Sequence, residues 1–132
     1  VRRRRRATQC RELFIQEDEI RSLLARGFFI GSHGYTHRAL DCLTPSQQDR
    51  DIRRAHERIE AILGNMPTLF SYPHGGYNEE TLKSMKQYGY EYAVTVVAAA
   101  DERRGLRADD TPLTLPRYDT NDVRDFLGSF NG

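Results

Sequence analysis

Gly31-Ser32-His33-Gly34-Tyr35-Thr36-His37 sets two imidazoles four residues apart, directly after the apolar run Phe28-Phe29-Ile30. If the backbone turns helically there, positions i and i+4 share a face, with Cβ atoms about 5–6 Å apart. Two neutral rings so placed can hold one divalent metal ion. The competing reading is a chance or core pair. Position favours ligands, because Gly31 and Gly34 flank the first ring and glycine permits close approach and unusual backbone angles.

Working outward, residues 16–26 read as a helix. Glu17, Asp18 and Glu19 fall in its first turn, where the helix dipole favours acids, and Ile20, Leu23 and Leu24 form an apolar face. Gly27 stops it, and residues 28–32 read as a buried strand with both faces apolar or small. Downstream of the histidines, Thr44-Pro45-Ser46-Gln47 is a helix start: Thr44 caps, Pro45 suits the first position and Gln47 completes a capping box. Ile52, Ala55, Ile59, Ile62 and Leu63 recur at helical spacing until Gly64, and His56 reads as a surface or core-edge residue beside them.

Residues 69–72 read as a short strand that runs into the turn-rich loop Pro73-His74-Gly75-Gly76-Tyr77. Asn78 caps a further helix with Leu82 and Met85 facing inward, ended by Gly89; residues 90–97 are β-branched and aromatic, a strand. Residues 98–111 read as a loop, 113–115 as a last short strand ended by Pro116, and Thr120 as the cap of a final helix reaching Phe126. Strands alternating with helices through short loops imply parallel βα units. In such folds chemistry collects where strands end. His33, His37 and the 73–77 loop should therefore open onto one face.

Composition narrows the class. The 132 residues suffice for one core, and 38% hydrophobic against 30% charged residues reads as a soluble domain on the polar side. No apolar run approaches the roughly 20 residues of a membrane helix. A net charge of +1 gives no general case for nucleic acid. Arg2 to Arg6 are an unbroken basic block. Residues 1–13 read as a disordered, solvated arm, with a basic arm for a polyanion as the sharper alternative. No apolar segment follows the block, so no export signal is expected in the chain as given. Cys10 and Cys42 fit no CxxC spacing and read as free thiols.

The loop Ser71-Tyr72-Pro73-His74-Gly75-Gly76-Tyr77 reads either as a plain turn or as a donor of backbone N–H groups to a developing oxyanion, with Tyr72 and Tyr77 able to stack on a sugar ring. Taken in order, His33-Gly34-Tyr35-Thr36-His37 with Leu40, then Phe70-Ser71-Tyr72-Pro73-His74-Gly75, then Gly89-Tyr90-Glu91-Tyr92-Ala93-Val94-Thr95, resemble the polysaccharide deacetylases with the NodB homology domain. The resemblance runs from about Phe14 to Phe126.

The resemblance implies an α/β fold, a partial (β/α) barrel with parallel strands and helices outside. It implies hydrolytic removal of N- or O-acetyl groups from a polysaccharide or amino-sugar oligomer by a metal-activated water, with zinc the expected divalent metal. His33 and His37 match the two metal-binding histidines. The backbone N–H of His74 maps to the oxyanion donor, Tyr72, Pro73, Gly75 and Tyr77 to a wall of the substrate groove, and Arg117 to an arginine that orients a catalytic carboxylate. The family's Asp-Asp strand has no counterpart between Val1 and Gly31, and no histidine follows His74. Residues 14–132 are thus expected to be the C-terminal part of a deacetylase domain truncated at its N-terminus. A catalytic zinc takes three protein ligands, so two histidines alone make a weak site and activity of this chain alone is not expected unless Asp41 or a carboxylate of another chain supplies the third. Family members often act at the cell envelope or outside the cell. Open strand edges favour self-association or a partner. The alternative from another class is a non-catalytic remnant that binds glycan or a protein partner.

Overall fold

The computed structural model describes residues 14–96 and 106–118. Helix α1 (Glu17–Ala25) starts from Gln16, whose backbone N–H donates to Glu19 at 2.7 Å. Helix α2 (Pro45–Leu63) starts from the expected box, with the Thr44 N–H donating to Gln47 Oε1 at 3.0 Å, and ends at Gly64 in the left-handed conformation. Helix α3 (Glu79–Gln87) is capped by Asn78, which accepts from the Thr81 N–H at 3.1 Å. Strands β1 (Leu69–Ser71), β2 (Tyr92–Val96) and β3 (Leu115–Arg117) form a parallel sheet in the order β1-β2-β3.

Ile52 of α2 and Met85 of α3 are fully buried against Phe70 and Ala93 of the sheet, with Leu40, Leu43, Tyr72, Tyr90 and Leu113 completing the core. Helix α2 packs on α3 and α1 on α2. The α2–α3 seam contains a satisfied polar chain: Thr81 Oγ1 donates to Gln48 Oε1 at 2.7 Å, and Gln48 Nε2 donates to the Leu43 carbonyl at 3.1 Å. His56 is buried at this seam between the Tyr88 and Tyr90 rings.

Two strand expectations need correction. Residues 28–32 do not form a strand among the described residues. Only Ser32 pairs, bridging Phe70 in parallel, while Phe28 is half exposed and Phe29 is 89% exposed. An apolar run becomes a buried strand only with neighbours on both sides, and β1 supplies one. The last strand lies two residues later than expected and contains Pro116 rather than ending at it. β3 pairs only with β2 among the described residues, so Pro116 sits on an edge, where its missing N–H costs no ladder bond. The expected loop residues 98–105, the helix from Thr120 and the arm of residues 1–13 lie outside the described residues. Among those described, no helix is long and apolar enough to cross a membrane.

Candidate functional site

The site lies at the C-terminal edge of the sheet. Ser32 pairs beside β1, so the chain leaves the sheet at His33, close to where β1 exits into the 3-10 turn Pro73–Gly75. The two exits meet as expected. The His33 and His37 ring centroids are 4.9 Å apart and those of His37 and His74 are 4.8 Å apart, each pair edge-on. All three histidines are exposed.

The path that pairs His33 with His37 is not helical, contrary to the simplest reading of their spacing. It is a turn built from left-handed residues, Gly34 at φ 75° and His37 at φ 56°. A side chain in that region costs about 1–3 kcal/mol, so the surroundings must hold it. Asp51 on α2 does so. Its carboxylate accepts from the Tyr35 N–H at 2.8 Å, the Thr36 N–H at 3.0 Å and the Thr36 hydroxyl, and the residue is 6% exposed. A Cβ on Gly34 would lie 3.0 Å from Asp51 Oδ1 and 3.2 Å from Pro73 Cγ, so glycine lets the loop sit down on both.

His33 is oriented by the sheet. Its Nδ1 lies 2.6 Å from the Ser71 carbonyl oxygen. That oxygen only accepts, so Nδ1 carries a proton and Nε2 is the nitrogen left for another partner. The second loop is locked as firmly. His74 is also left-handed at φ 56°, the Gly75 N–H donates to Tyr72 O at 3.0 Å and the Gly76 N–H to Pro73 O at 3.2 Å. Thr95 Oγ1 of β2 donates to the Gly75 carbonyl at 2.7 Å. A Cβ on Gly75 would stand 2.7 Å from the Val96 nitrogen. The His74 N–H makes no hydrogen bond among the described residues.

Tyr72 and Pro73 do not face a groove. Tyr72 is fully buried, its hydroxyl donates to the Leu113 carbonyl at 2.9 Å, and its ring stacks on Tyr77 at 5.0 Å. Burial, then the neighbouring Tyr77, pushes the Tyr72 phenol well above its ordinary range, which keeps it a neutral donor. Pro73 is fully buried as well, so both residues support the loop from beneath. Gly75 and Tyr77 remain partly exposed at its surface. Arg117 ends β3 opposite Val96, which places it on the same sheet edge, and its Nε is buried without a hydrogen-bond partner among the described residues.

Asp41 does not converge with His33 and His37 into a three-ligand group. Its carboxylate rests against the Gly76 backbone, and among the described residues no three His, Cys, Asp or Glu side chains converge where they could hold a metal ion. Asp51 positions the site from outside every motif, and Ser71 and Thr95 do so from inside the motifs, where the residue pattern assigns them no role of their own. Asp51 leaves one trace in the sequence, a carboxylate beside Ile52 on the apolar face of α2. Cys42 is an exposed free thiol.

The polysaccharide deacetylase family profile matches residues 5–93. The chain is 34% identical over 89 residues to YxkH of Bacillus subtilis (strain 168), a match covering 67% of this chain and 32% of that protein. Among solved structures, it is similar to IcaB from Ammonifex degensii, with TM-score 0.67, 20% identity, and 89% of this chain and 53% of the other covered. It is similar also to the Streptococcus pyogenes deacetylase PplD in complex with acetate, with TM-score 0.66, 19% identity, and 86% and 50% covered. The chain thus spans about a third to a half of the length of these relatives. With the profile match, the shared fold and the paired loops in agreement, the chain belongs to the polysaccharide deacetylase family, and its parallel sheet with outer helices is part of that family's α/β barrel.

Proposed function

We propose that residues 14–132 act as part of a metal-dependent hydrolase that removes N- or O-acetyl groups from a polysaccharide, with His33 and His37 as metal ligands. The observation that carries this reading is the tethered pair: two rings 4.9 Å apart, the first tied through Nδ1 to the Ser71 carbonyl. A ring nitrogen bonded to a backbone carbonyl is the usual support of a metal-binding imidazole, because it fixes the tautomer and leaves Nε2 as donor to the ion. The donor set suits zinc, which takes neutral imidazoles, and a carboxylate from outside the described residues completes the ligands. When bound, such a cation supplies Lewis acidity toward a carbonyl oxygen and a water of lowered pKa.

The chain's own groups do the rest. The His74 N–H, without a partner among the described residues and fixed by the left-handed turn, donates to the oxygen on which negative charge develops. Arg117 holds a catalytic carboxylate through its guanidinium, whose Nε lacks a partner among the described residues. Gly75 and Tyr77 border the sugar, supported by Tyr72 and Pro73. Acetate, the product of such a reaction, is the ligand named for the similar PplD structure.

The second reading, a non-catalytic part of the same fold that binds glycan or a partner protein, is favoured by the lack of a three-ligand group among the described residues. Zinc titration followed by calorimetry, paired with acetate release from an N-acetylglucosamine oligomer, separates the two. Zinc binding lost in His33→Ala and in His37→Ala, with acetate released by the parent, supports the hydrolase. Zinc binding untouched by either substitution ends it, and glycan binding with neither zinc nor acetate supports the second reading.

A further inference from the structure

Between the histidine loop and α2 lies an open cleft of about 220 Å³. It is lined by Tyr35 and Arg38 of the loop and by Gln47, Arg50, Asp51 and Arg54 of α2. Three guanidiniums against one carboxylate leave a formal excess of two positive charges. The carboxylate offers little compensation, since Asp51 is already committed to the Tyr35 and Thr36 amides and the Thr36 hydroxyl.

Three other exposed cations on the helices have carboxylate partners, whereas Arg21 and Lys86 have none among the described residues. Arg53 meets Glu57, Arg58 meets Glu17 and Lys83 meets Glu80. Arg38, Arg50 and Arg54 meet no carboxylate among the described residues. Arg50 and Arg54 are also one helical turn apart, a like-charge spacing that opposes helix stability. Arg54 is held in place. Its guanidinium lies 4.1 Å from the Tyr35 ring centroid, and its Nη2 donates to the Tyr35 hydroxyl at 3.1 Å. A guanidinium carries five donors in a planar fork that matches a carboxylate or phosphate, and this contact uses one of them.

We infer that this cleft is an anion subsite, and that the glycan bound here carries carboxylate groups along its chain. The inference rests on the glycan-processing reading above and narrows its substrate class. The cleft and the histidines share one loop, since Arg38, which lines the cleft, follows His37 directly in the chain. In the inferred binding mode, a glycan held at the His33–His37 pair extends past this loop and sets an acidic group against Arg38, Arg50 and Arg54. A neutral chain leaves these charges to solvent.

The test compares two tetrasaccharides of equal length by calorimetry at low salt: a neutral N-acetylglucosamine oligomer, and one alternating N-acetylglucosamine with glucuronic acid. Inorganic phosphate serves as competitor. The acidic tetramer is expected to bind about tenfold tighter, the size of one charge-assisted contact. The preference should fall to within about twofold in the Arg50→Gln/Arg54→Gln variant, whose substituted side chains are exposed, and at 0.5 M salt, where screening acts within a few ångströms. Equal binding of the two tetramers, a preference that survives the double substitution, or no binding of either overturns the inference. Phosphate binding as tightly as the acidic tetramer also overturns it, since the site would then be one for free phosphate. Zinc binding at His33 and His37 is read separately, so loss of this preference leaves the hydrolase reading standing.

Discussion

Replacing Asp51 with alanine should release the histidine loop while leaving the sheet and helices folded. The carboxylate accepts two backbone N–H bonds, at 2.8 and 3.0 Å, and one hydroxyl. Each hydrogen bond to a charged acceptor contributes about 1.5–3 kcal/mol. The three share one carboxylate and do not add. Tyr35 and Thr36 are exposed, so their freed amides regain water once the loop opens. The net loss of loop closure is then about 2–3 kcal/mol, or about 30–150-fold in the ratio of closed to open forms. Amide hydrogen exchange reads that ratio directly. The Tyr35 and Thr36 amides should lose protection by this factor in Asp51→Ala. In Asp51→Asn, which keeps one acceptor oxygen, the loss should be about tenfold. The Leu82 amide, bonded to the Asn78 carbonyl at the start of α3, is the internal reference and should not change. If Tyr35 and Thr36 stay within about threefold of the parent while Asp51→Ala is folded by circular dichroism, the clamp is not what holds the loop.

Two further outcomes follow from the same geometry. Gly75→Ala places a Cβ 2.7 Å from the Val96 nitrogen at a φ of 76°, and should cost at least about 2 kcal/mol by urea unfolding; an unchanged midpoint would show that the 73–77 loop moves freely off β2. Tyr88, half-buried, donates its hydroxyl to Asp49 at 2.6 Å, and burial followed by Asp49 pushes its phenol up to about 12. The folded state thus favours the neutral phenol. Its contribution is whole below the unfolded value of about 10 and is lost as pH rises toward 12. Tyr88→Phe should therefore flatten the fall of stability between pH 10 and 12; parallel parent and variant curves would refute the assignment.

Helix limits were legible because their signals are local. Thr44, Pro45 and Gln47 lie within four residues, and Gly64 needs only its own φ to end α2. Parallel strands were legible from alternation, and with them the shared face of the two loops. Side-chain direction at Tyr72 was not, since an aromatic beside a proline turn reads the same whether it faces a sugar or a core.

The pairing of His33 and His37 shows where local information stops. Two imidazoles four residues apart read, from residues alone, as metal ligands or as a chance pair, and the resemblance to the family favours the first. Yet the rings meet through a left-handed turn that no helical spacing describes, at a conformation unfavourable for a side chain. What makes it affordable is a carboxylate 16 residues further along the chain and a carbonyl 38 residues away. Contacts of that range exist only after α2 has packed on the sheet. The candidate residues were therefore legible in a short stretch, while their geometry waited on the fold, because a strained loop can be held only by groups that folding brings to it.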